Sequence, residues 1–103
     1  MHNGIDISAS EGTSVEAGLT GIVKISGYNS GYGNYVVLTD EDGYEITYAH
    51  LSSRSVSAGE QIEKGTEIGK VGSTGNSTGP HLHFGILLNN SWVNPMRFYT
   101  RVN

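Results

Sequence analysis

The sequence predicts an all-β domain of many short strands with almost no helix. Its 103 residues include 15 glycines but only 2 prolines, and 36% of them are hydrophobic. Residues with β-branched or aromatic side chains fall into short runs bounded by glycines, which is typical of strands joined by tight turns. No helical periodicity extends beyond a turn or two, so the sequence disfavours a helical bundle.

Three strands and a hairpin are predicted in the first half of the chain. Residues 19–26 and 34–39 are rich in Val, Ile and Tyr and are bounded by glycines. Asp42 followed by Gly43 is a strong turn signal, and it joins the second of these strands to a third at residues 44–50. These two adjacent strands are therefore expected to pair as a hairpin.

The third predicted strand finishes on a histidine. The two-residue period of a strand divides its side chains between two faces, with Tyr44, Ile46, Tyr48 and His50 on one face and Glu45 and Thr47 on the other. We therefore predict that His50 ends the strand, at the rim of a groove. One short turn is expected within residues 53–59 and another within residues 94–99.

The most informative segment is residues 71–84, where a glycine-rich loop leads into a strand that carries two histidines. Because side chains alternate across a strand, His81 and His83 emerge on the same face. The opposite face is apolar and is predicted to lie in the core; it comprises Leu82, Phe84, Ile86 and Leu88. Two imidazoles placed in this way indicate a metal site, a proton-transfer role, or both.

Two segments of the chain are faintly alike. Residues 12–23 and 59–71 each contain an apolar residue, a short polar step, a glycine and then a strand. This similarity indicates a duplicated β-motif, with recurring turn chemistry as the alternative explanation. The second segment also resembles the strand–turn pattern of biotinyl and lipoyl carrier domains.

Length and composition exclude several classes of protein. A chain of 103 residues is long enough for one domain with a modest core. Its net charge of −4 argues against nucleic-acid binding. The sequence contains neither a long apolar run nor a basic cluster, and it therefore gives no indication of membrane insertion. It has no cysteine, so disulfides are excluded and a metal site must use nitrogen and oxygen ligands.

All four histidines fall within three compact motifs. The first is His2 followed by Asp6 four residues later, the second is residues 48–52 around His50, and the third is the pair of histidines near residue 82. In this order the motifs resemble those of the lysostaphin/LytM-type zinc metallopeptidases, which cleave peptide bonds in bacterial peptidoglycan. The resemblance extends from residue 2 to residue 95, and residues 77–84 are its most specific part.

The resemblance implies a compact domain of packed antiparallel sheets, of the duplicated hybrid-motif kind, around an open groove. It implies one zinc ion per chain, held by His2, Asp6 and His83 with one position left for water, as in other catalytic zinc sites. Residues two apart on a strand face are ~6.5–7 Å apart along the backbone. His83 can therefore bind the ion while His81 acts on a group beside it.

The remaining site residues also follow from the resemblance. His50 and His81 are expected to be catalytic, by stabilising negative charge on the reacting peptide and by transferring protons. Residues 28–35 are rich in glycine and tyrosine, as suits a groove wall, and Tyr32 and Asn34 are the expected substrate contacts.

The expected function is that of a zinc endopeptidase that hydrolyses peptidoglycan peptides by metal-activated water. We expect residues 1–103 to be a single, monomeric catalytic domain from a longer protein that acts outside the cytoplasm. A non-catalytic wall-binding or activator module is one alternative. A carrier domain, lipoyl-like or a histidine phosphocarrier, is another. Which peptide bond is cleaved stays open.

Overall fold

The structure is a computed structural model that describes residues 5–73, 81–88 and 91–92. These residues contain no helix, which agrees with the predicted all-β class, and none therefore forms a helix able to cross a membrane. They form nine strands: β1 (Ile5–Ser8), β2 (Ser14–Glu16), β3 (Gly21–Asn29), β4 (Gly33–Thr39), β5 (Tyr44–Arg54), β6 (Gln61–Ile62), β7 (Glu67–Val71), β8 (His81–Leu88) and β9 (Ser91–Trp92).

The strands pair throughout in the antiparallel sense. The main path of the sheet runs β1–β8–β5–β4–β3–β6, while β7 pairs with both β2 and β5, and β9 pairs with β8. Strand β5 therefore has three neighbours, β4, β8 and β7. This connectivity brings the chain's first strand and its late histidine strand together beside the long central strand.

The predicted hairpin is confirmed between β4 and β5. The turn is closed by the Gly43 N–H, which donates to the Asp40 carbonyl oxygen at 3.4 Å, and by the Asp40 N–H, which donates to the Tyr44 carbonyl oxygen at 3.2 Å. Gly43 has φ +91°, a conformation that L-residues with side chains rarely adopt. The Asp42–Gly43 pair therefore predicted the position of this turn correctly, because glycine tolerates the positive φ that the turn requires.

The prediction that His50 ends its strand is wrong, because β5 continues to Arg54. The pairing register explains the difference. Val36 pairs with Tyr48, but Asn34, only two residues away, pairs with Leu51 three residues further along β5. One extra residue is thus accommodated as a β-bulge, which interrupts the alternation of faces without ending the strand. Of the segment 53–59, in which a turn was expected, only residues 58–59 form one. The turn expected within residues 94–99 lies outside the described residues.

The two similar segments of the sequence pair with each other reciprocally. Short strand β2 of the first segment pairs with β7 of the second, and short strand β6 of the second pairs with β3 of the first. Main-chain hydrogen bonds repeat this exchange, since Ala17 is bonded to Thr66 and Gly65 while Val23 is bonded to Glu60 and Gly59. Such two-fold reciprocity is what a duplicated β-motif would produce.

A single hydrophobic cluster fills the space enclosed by these strands. Strand β5 supplies Ile46 and Tyr48, β8 supplies Leu82 and Ile86, and all four are at most 1% exposed. The predicted apolar face of the histidine strand is therefore confirmed at Leu82 and Ile86, whereas the side chains of Phe84 and Leu88 lie outside the described set. Because alternate residues of β8 enter the core, His83 lies on the other face of the sheet.

Candidate active site in an open groove

An open groove lies where the β3–β4 turn meets strands β5 and β8. Its described lining consists of Asn29, Gly31, Tyr32, His50 and His83, and its volume is about 320 Å³. Three of these residues were predicted as site residues from three separate motifs of the sequence. The fold therefore brings Tyr32, His50 and His83 together at one place.

His83 occupies a central position in the sheet. On one side it is the register partner of Asp6 in β1, and on the other it is the partner of Ala49 in β5. Directly opposed residues of an antiparallel pair have Cβ atoms ~4.5–5.5 Å apart, so the backbone holds the Asp6 and His83 positions close together. His2 and the side chains of Asp6 and His81 lie outside the described set.

His50 enters the groove from the bulge of β5. Its φ is +65°, and among the residues that the structure describes no other non-glycine residue has a positive φ. The His50 N–H donates a hydrogen bond to the carbonyl oxygen of Tyr32 at 2.7 Å. Its ring centre lies 6.2 Å from that of His83 and the two rings are inclined by 68°. The bulge thus places the two imidazoles side by side without direct stacking.

Tyr32 forms an aromatic wall above His83. The two rings are nearly parallel, with an interplanar angle of 22° and centroids 6.3 Å apart, and Tyr35 adds a second ring 5.4 Å from Tyr32. The Asn29 side chain fixes the turn below, because its Oδ1 accepts a hydrogen bond from the Tyr32 N–H at 2.6 Å. Tyr32 remains 37% exposed, so its ring is accessible from the groove.

Asn34 lies beside the bulge and is half-buried. Its Nδ2 donates to the Leu51 carbonyl oxygen at 3.2 Å, and its Oδ1 accepts from Arg54 Nε at 3.3 Å. The sequence predicted Asn34 as a substrate contact, which stays a prediction. Sequence reasoning missed Arg54, and it included Asn29 only as part of the groove-wall segment, residues 28–35.

The donor chemistry of these residues fits a zinc ion. Imidazole nitrogen and carboxylate oxygen are ordinary zinc ligands, whereas calcium and magnesium prefer oxygen alone. The pairing of β1 with β8 supplies one residue of each kind at directly opposed positions, Asp6 and His83. The groove beside them also holds His50, which adds a second imidazole.

Comparison with known proteins agrees with this description of the fold. Peptidoglycan DD-endopeptidase ShyC of Vibrio cholerae is 43% identical over 94 residues, which are 91% of this chain and 22% of that protein. A solved zinc-containing peptidase from Vibrio cholerae has a TM-score of 0.88 and 36% identity, and the match covers 92% of this chain and 29% of that one.

The catalytic domain of lysostaphin from Staphylococcus simulans is also similar, with a TM-score of 0.86 and 38% identity. That match covers 95% of this chain and 78% of the lysostaphin domain. The chain spans only 22% of the length of the first curated relatives that it matches. The model of Peptidase family M23 matches residues 1–95, so the resemblance drawn from the three histidine motifs is confirmed and the chain belongs to this peptidase family.

Proposed function

We propose that this chain is a zinc metalloendopeptidase domain that hydrolyses peptide bonds in bacterial peptidoglycan. The observation that carries the proposal is the register of β1, β8 and β5, in which Asp6 opposes His83 beside the groove that contains His50. Family membership and the similarity to a peptidoglycan DD-endopeptidase support both the reaction and the substrate class.

The proposed zinc ligands are His2, Asp6 and His83. This set offers two nitrogens and one oxygen and leaves a fourth position for water or substrate, which is the usual composition of a catalytic zinc site. A zinc ion held by these residues would supply Lewis acidity, which would polarise a carbonyl group and lower the pKa of water. Similarity to a zinc-containing peptidase supports this choice of metal, and we propose one ion per chain.

The proposed catalytic residues are His50 and His81. Hydrolysis of a peptide bond develops negative charge on the carbonyl oxygen and requires a proton on the leaving amine. An imidazole held beside the metal can donate a hydrogen bond to that oxygen or deliver that proton. The 6.2 Å between the ring centres of His50 and His83 is consistent with one ring acting on the substrate while the other binds the ion.

Tyr32 is the proposed substrate contact in the groove wall. Its exposed ring lies over His83 and next to Tyr35, so a peptide that approaches His83 would pass against it. A flat aromatic wall provides contact area and a hydroxyl without restricting the substrate to one side-chain type. We therefore expect Tyr32 to contribute to binding of the peptide more than to the chemical step.

Peptidoglycan lies outside the cytoplasmic membrane, so we propose that the domain acts there. Because the chain spans 22% of its first curated relatives, we further propose that it is a catalytic domain within a longer protein. We also propose that this domain is monomeric. The carrier hypotheses receive no support from the family match. A wall-binding module without activity remains a separate alternative that the following experiment distinguishes.

The test is digestion of purified peptidoglycans of different cross-bridge chemistry by the zinc-loaded protein, with mass spectrometry of the released peptides. We expect new amino termini at one type of peptide bond. His50→Ala and His81→Ala should each lower the rate by about 10²–10⁴-fold, the usual contribution of a general acid or base. Zinc content should not change in either variant, since neither residue is a proposed ligand.

Two results would contradict the proposal. Stoichiometric binding to the wall without release of any peptide, at full zinc occupancy, would identify a binding module instead. Undiminished release by both histidine variants would show that hydrolysis does not depend on the residues proposed to catalyse it.

A further inference from the structure

The backbone that carries His50 into the groove is in an uncommon conformation. Between the pairs Val36–Tyr48 and Asn34–Leu51, β4 has one residue whereas β5 has two, Ala49 and His50. His50 takes up the extra length with a φ of +65°. A residue with a side chain keeps such a conformation only where the surrounding structure holds it. The contacts that hold this bulge therefore also determine where the His50 imidazole lies.

Two hydrogen bonds bracket the bulge. On its first side, the His50 N–H donates to the Tyr32 carbonyl oxygen at 2.7 Å. On its second side, the Leu51 carbonyl oxygen accepts a hydrogen bond from Asn34 Nδ2 at 3.2 Å. Both bonds connect the bulge to the chain around the start of β4, so that residues 32–34 and 50–51 form one hydrogen-bonded unit.

Arg54 fixes the orientation of the Asn34 amide. A guanidinium group only donates hydrogen bonds, so the Arg54 Nε–H can be accepted by Asn34 Oδ1 but not by Nδ2. With Oδ1 directed to Arg54, Nδ2 is left to donate to Leu51. Arg54 is itself held by Ser26, whose Oγ accepts from Nη1 at 3.1 Å and donates to the Val56 carbonyl oxygen at 2.8 Å.

We propose that Asn34 is a positioning residue for His50, which it holds in the groove by clamping the β5 bulge, and that Arg54 orients Asn34 for this task. The inference rests on the proposed function, in which His50 acts on the reacting peptide. It gives Asn34 an indirect role in place of the direct substrate contact that the sequence predicted. A small displacement of a catalytic group is enough to reduce the rate, so loosening the clamp should affect catalysis more than binding.

The central test is Asn34→Asp in the zinc-loaded protein. This variant keeps Oδ1 for Arg54 but replaces the Nδ2 donor by an oxygen that faces the Leu51 carbonyl. We expect kcat to fall by about tenfold, while KM stays within about twofold, because an interaction that positions the catalytic group is lost and substrate contacts are kept. Asn34→Ala should give a similar loss.

Amide hydrogen exchange, measured by NMR without substrate, reports on the clamp itself. In Asn34→Asp the exchange of the His50 amide should accelerate by about tenfold or more, whereas Ile46 and Leu38, in the core-facing parts of β5 and β4, should keep their rates. The matched control is Ser14→Ala, which removes the part-buried hydrogen bond from Ser14 Oγ to Glu67 at 2.8 Å. It should change neither kcat nor the His50 exchange rate.

A double-mutant cycle tests the role of Arg54. Arg54→Ala alone should lower kcat less than Asn34→Asp does, because the amide can still reach Leu51 in part of the population. Once the Nδ2 donor is absent, loss of Arg54 should add little, so the double variant should be close to Asn34→Asp alone. Fully additive losses would overturn the assignment of Arg54 as a residue that acts through Asn34.

Two outcomes would overturn the assignment of Asn34. A higher KM with unchanged kcat and unchanged His50 exchange would show that Asn34 contacts the substrate directly. Equally faster exchange at His50, Ile46 and Leu38 would show a general loss of stability. An unmodified protein that cuts no peptidoglycan, but whose variants show the expected exchange pattern, would overturn the proposed function and leave the clamp supported.

Discussion

Tyr48 illustrates how a single polar atom is accommodated in the apolar core. Its side chain has no exposed surface, and its hydroxyl oxygen accepts a hydrogen bond from the Gly18 N–H at 2.8 Å. This bond connects the central strand β5 to the segment that follows β2. Without the hydroxyl, the buried Gly18 N–H would lose this acceptor and keep the cost of its desolvation. The hydroxyl therefore contributes more to stability than its small size suggests.

We expect Tyr48→Phe to lower the free energy of unfolding by about 1–3 kcal/mol, the cost of leaving a buried polar group unsatisfied. Urea unfolding followed by circular dichroism measures this difference. The matched control is Tyr28→Phe, where the side chain is 63% exposed and the same change should stay within about 0.5 kcal/mol. Equal unfolding free energies for the two variants would refute this account of the core.

Site residues could be predicted from the sequence where a short motif of reactive side chains marks them. They could not be predicted where only the three-dimensional arrangement of the chain defines their role. His83, His50 and Tyr32 were predicted because the short motifs that contain them resemble those of the peptidase family. Strand alternation predicted the face of His83 correctly. It placed His50 wrongly at a strand end, because a two-residue period contains no information about an inserted bulge residue. The bond from Arg54 to Asn34 spans 20 residues and leaves no local pattern.

Gly21 in β3 lies directly against the backbone of Thr39 in β4. A Cβ atom at this position would overlap the backbone oxygen of Thr39. Gly27, in the same strand, has a normal environment, since the nearest atoms to its hypothetical Cβ lie at 3.9 and 4.0 Å. A side chain is therefore sterically excluded at Gly21 but not at Gly27.

Gly21→Ala should destabilise the protein by about 1–3 kcal/mol, as overpacking does, because the backbone must shift to admit the methyl group. Gly27→Ala should instead stabilise it by about 0.4–1 kcal/mol, because alanine restricts the unfolded chain and fits the folded one. Chemical denaturation of both variants measures the difference. A larger loss of stability in Gly27→Ala than in Gly21→Ala would contradict this explanation of the two glycines.

Glu67 connects three elements of the sheet. Its carboxylate accepts hydrogen bonds from Ser14 in β2, from Ser55 just after β5, and from Lys70 in β7. These contacts, the Ser14 bond foremost, hold the pKa of Glu67 below its ordinary value of 4.5. The Glu67 side chain is 40% exposed, and its contribution is therefore screened by solvent.

Because the folded state lowers the pKa of Glu67, the ionised carboxylate stabilises the fold above pH 4.5 and loses this effect as the pH falls through the lower folded value. We expect Glu67→Gln to be less stable than the unmodified protein at neutral pH and to lose less stability on acidification. Thermal unfolding between neutral and acidic pH tests this. An identical pH dependence in both proteins would contradict it.

At the level of elements, hairpins were more predictable than strand ends. The β4–β5 hairpin follows from local turn chemistry and was predicted correctly. Strand β3 continues to Asn29, beyond the predicted residue 26, because its last residues pair with the start of β4. Strands β2 and β6 are only 3 and 2 residues long, so reciprocal pairing rather than their own sequence defines them.

The molecule as a whole uses the two faces of its sheet for different purposes. In the part of the chain that the structure describes, one face packs into the core around Tyr48 and Leu82, and the groove with His83 lies on the other. Leu82 and His83 are consecutive residues of β8, so the alternation of side chains along this strand places one in the core and the next at the site. The fold class was therefore predictable from sequence, whereas the strand order that brings β1 beside β8 depends on contacts across almost the whole chain.

Zinc content measures the central claim most directly, namely that Asp6 and His83 share one metal ion with His2. After exhaustive dialysis of the zinc-loaded protein, elemental mass spectrometry should find about one zinc per chain, as expected for three ligands and an open position. His83→Ala and Asp6→Ala should lose the ion, while His50→Ala, an imidazole of the same groove, should retain it. Full zinc retention by His83→Ala, or equal loss from His50→Ala, would contradict the account.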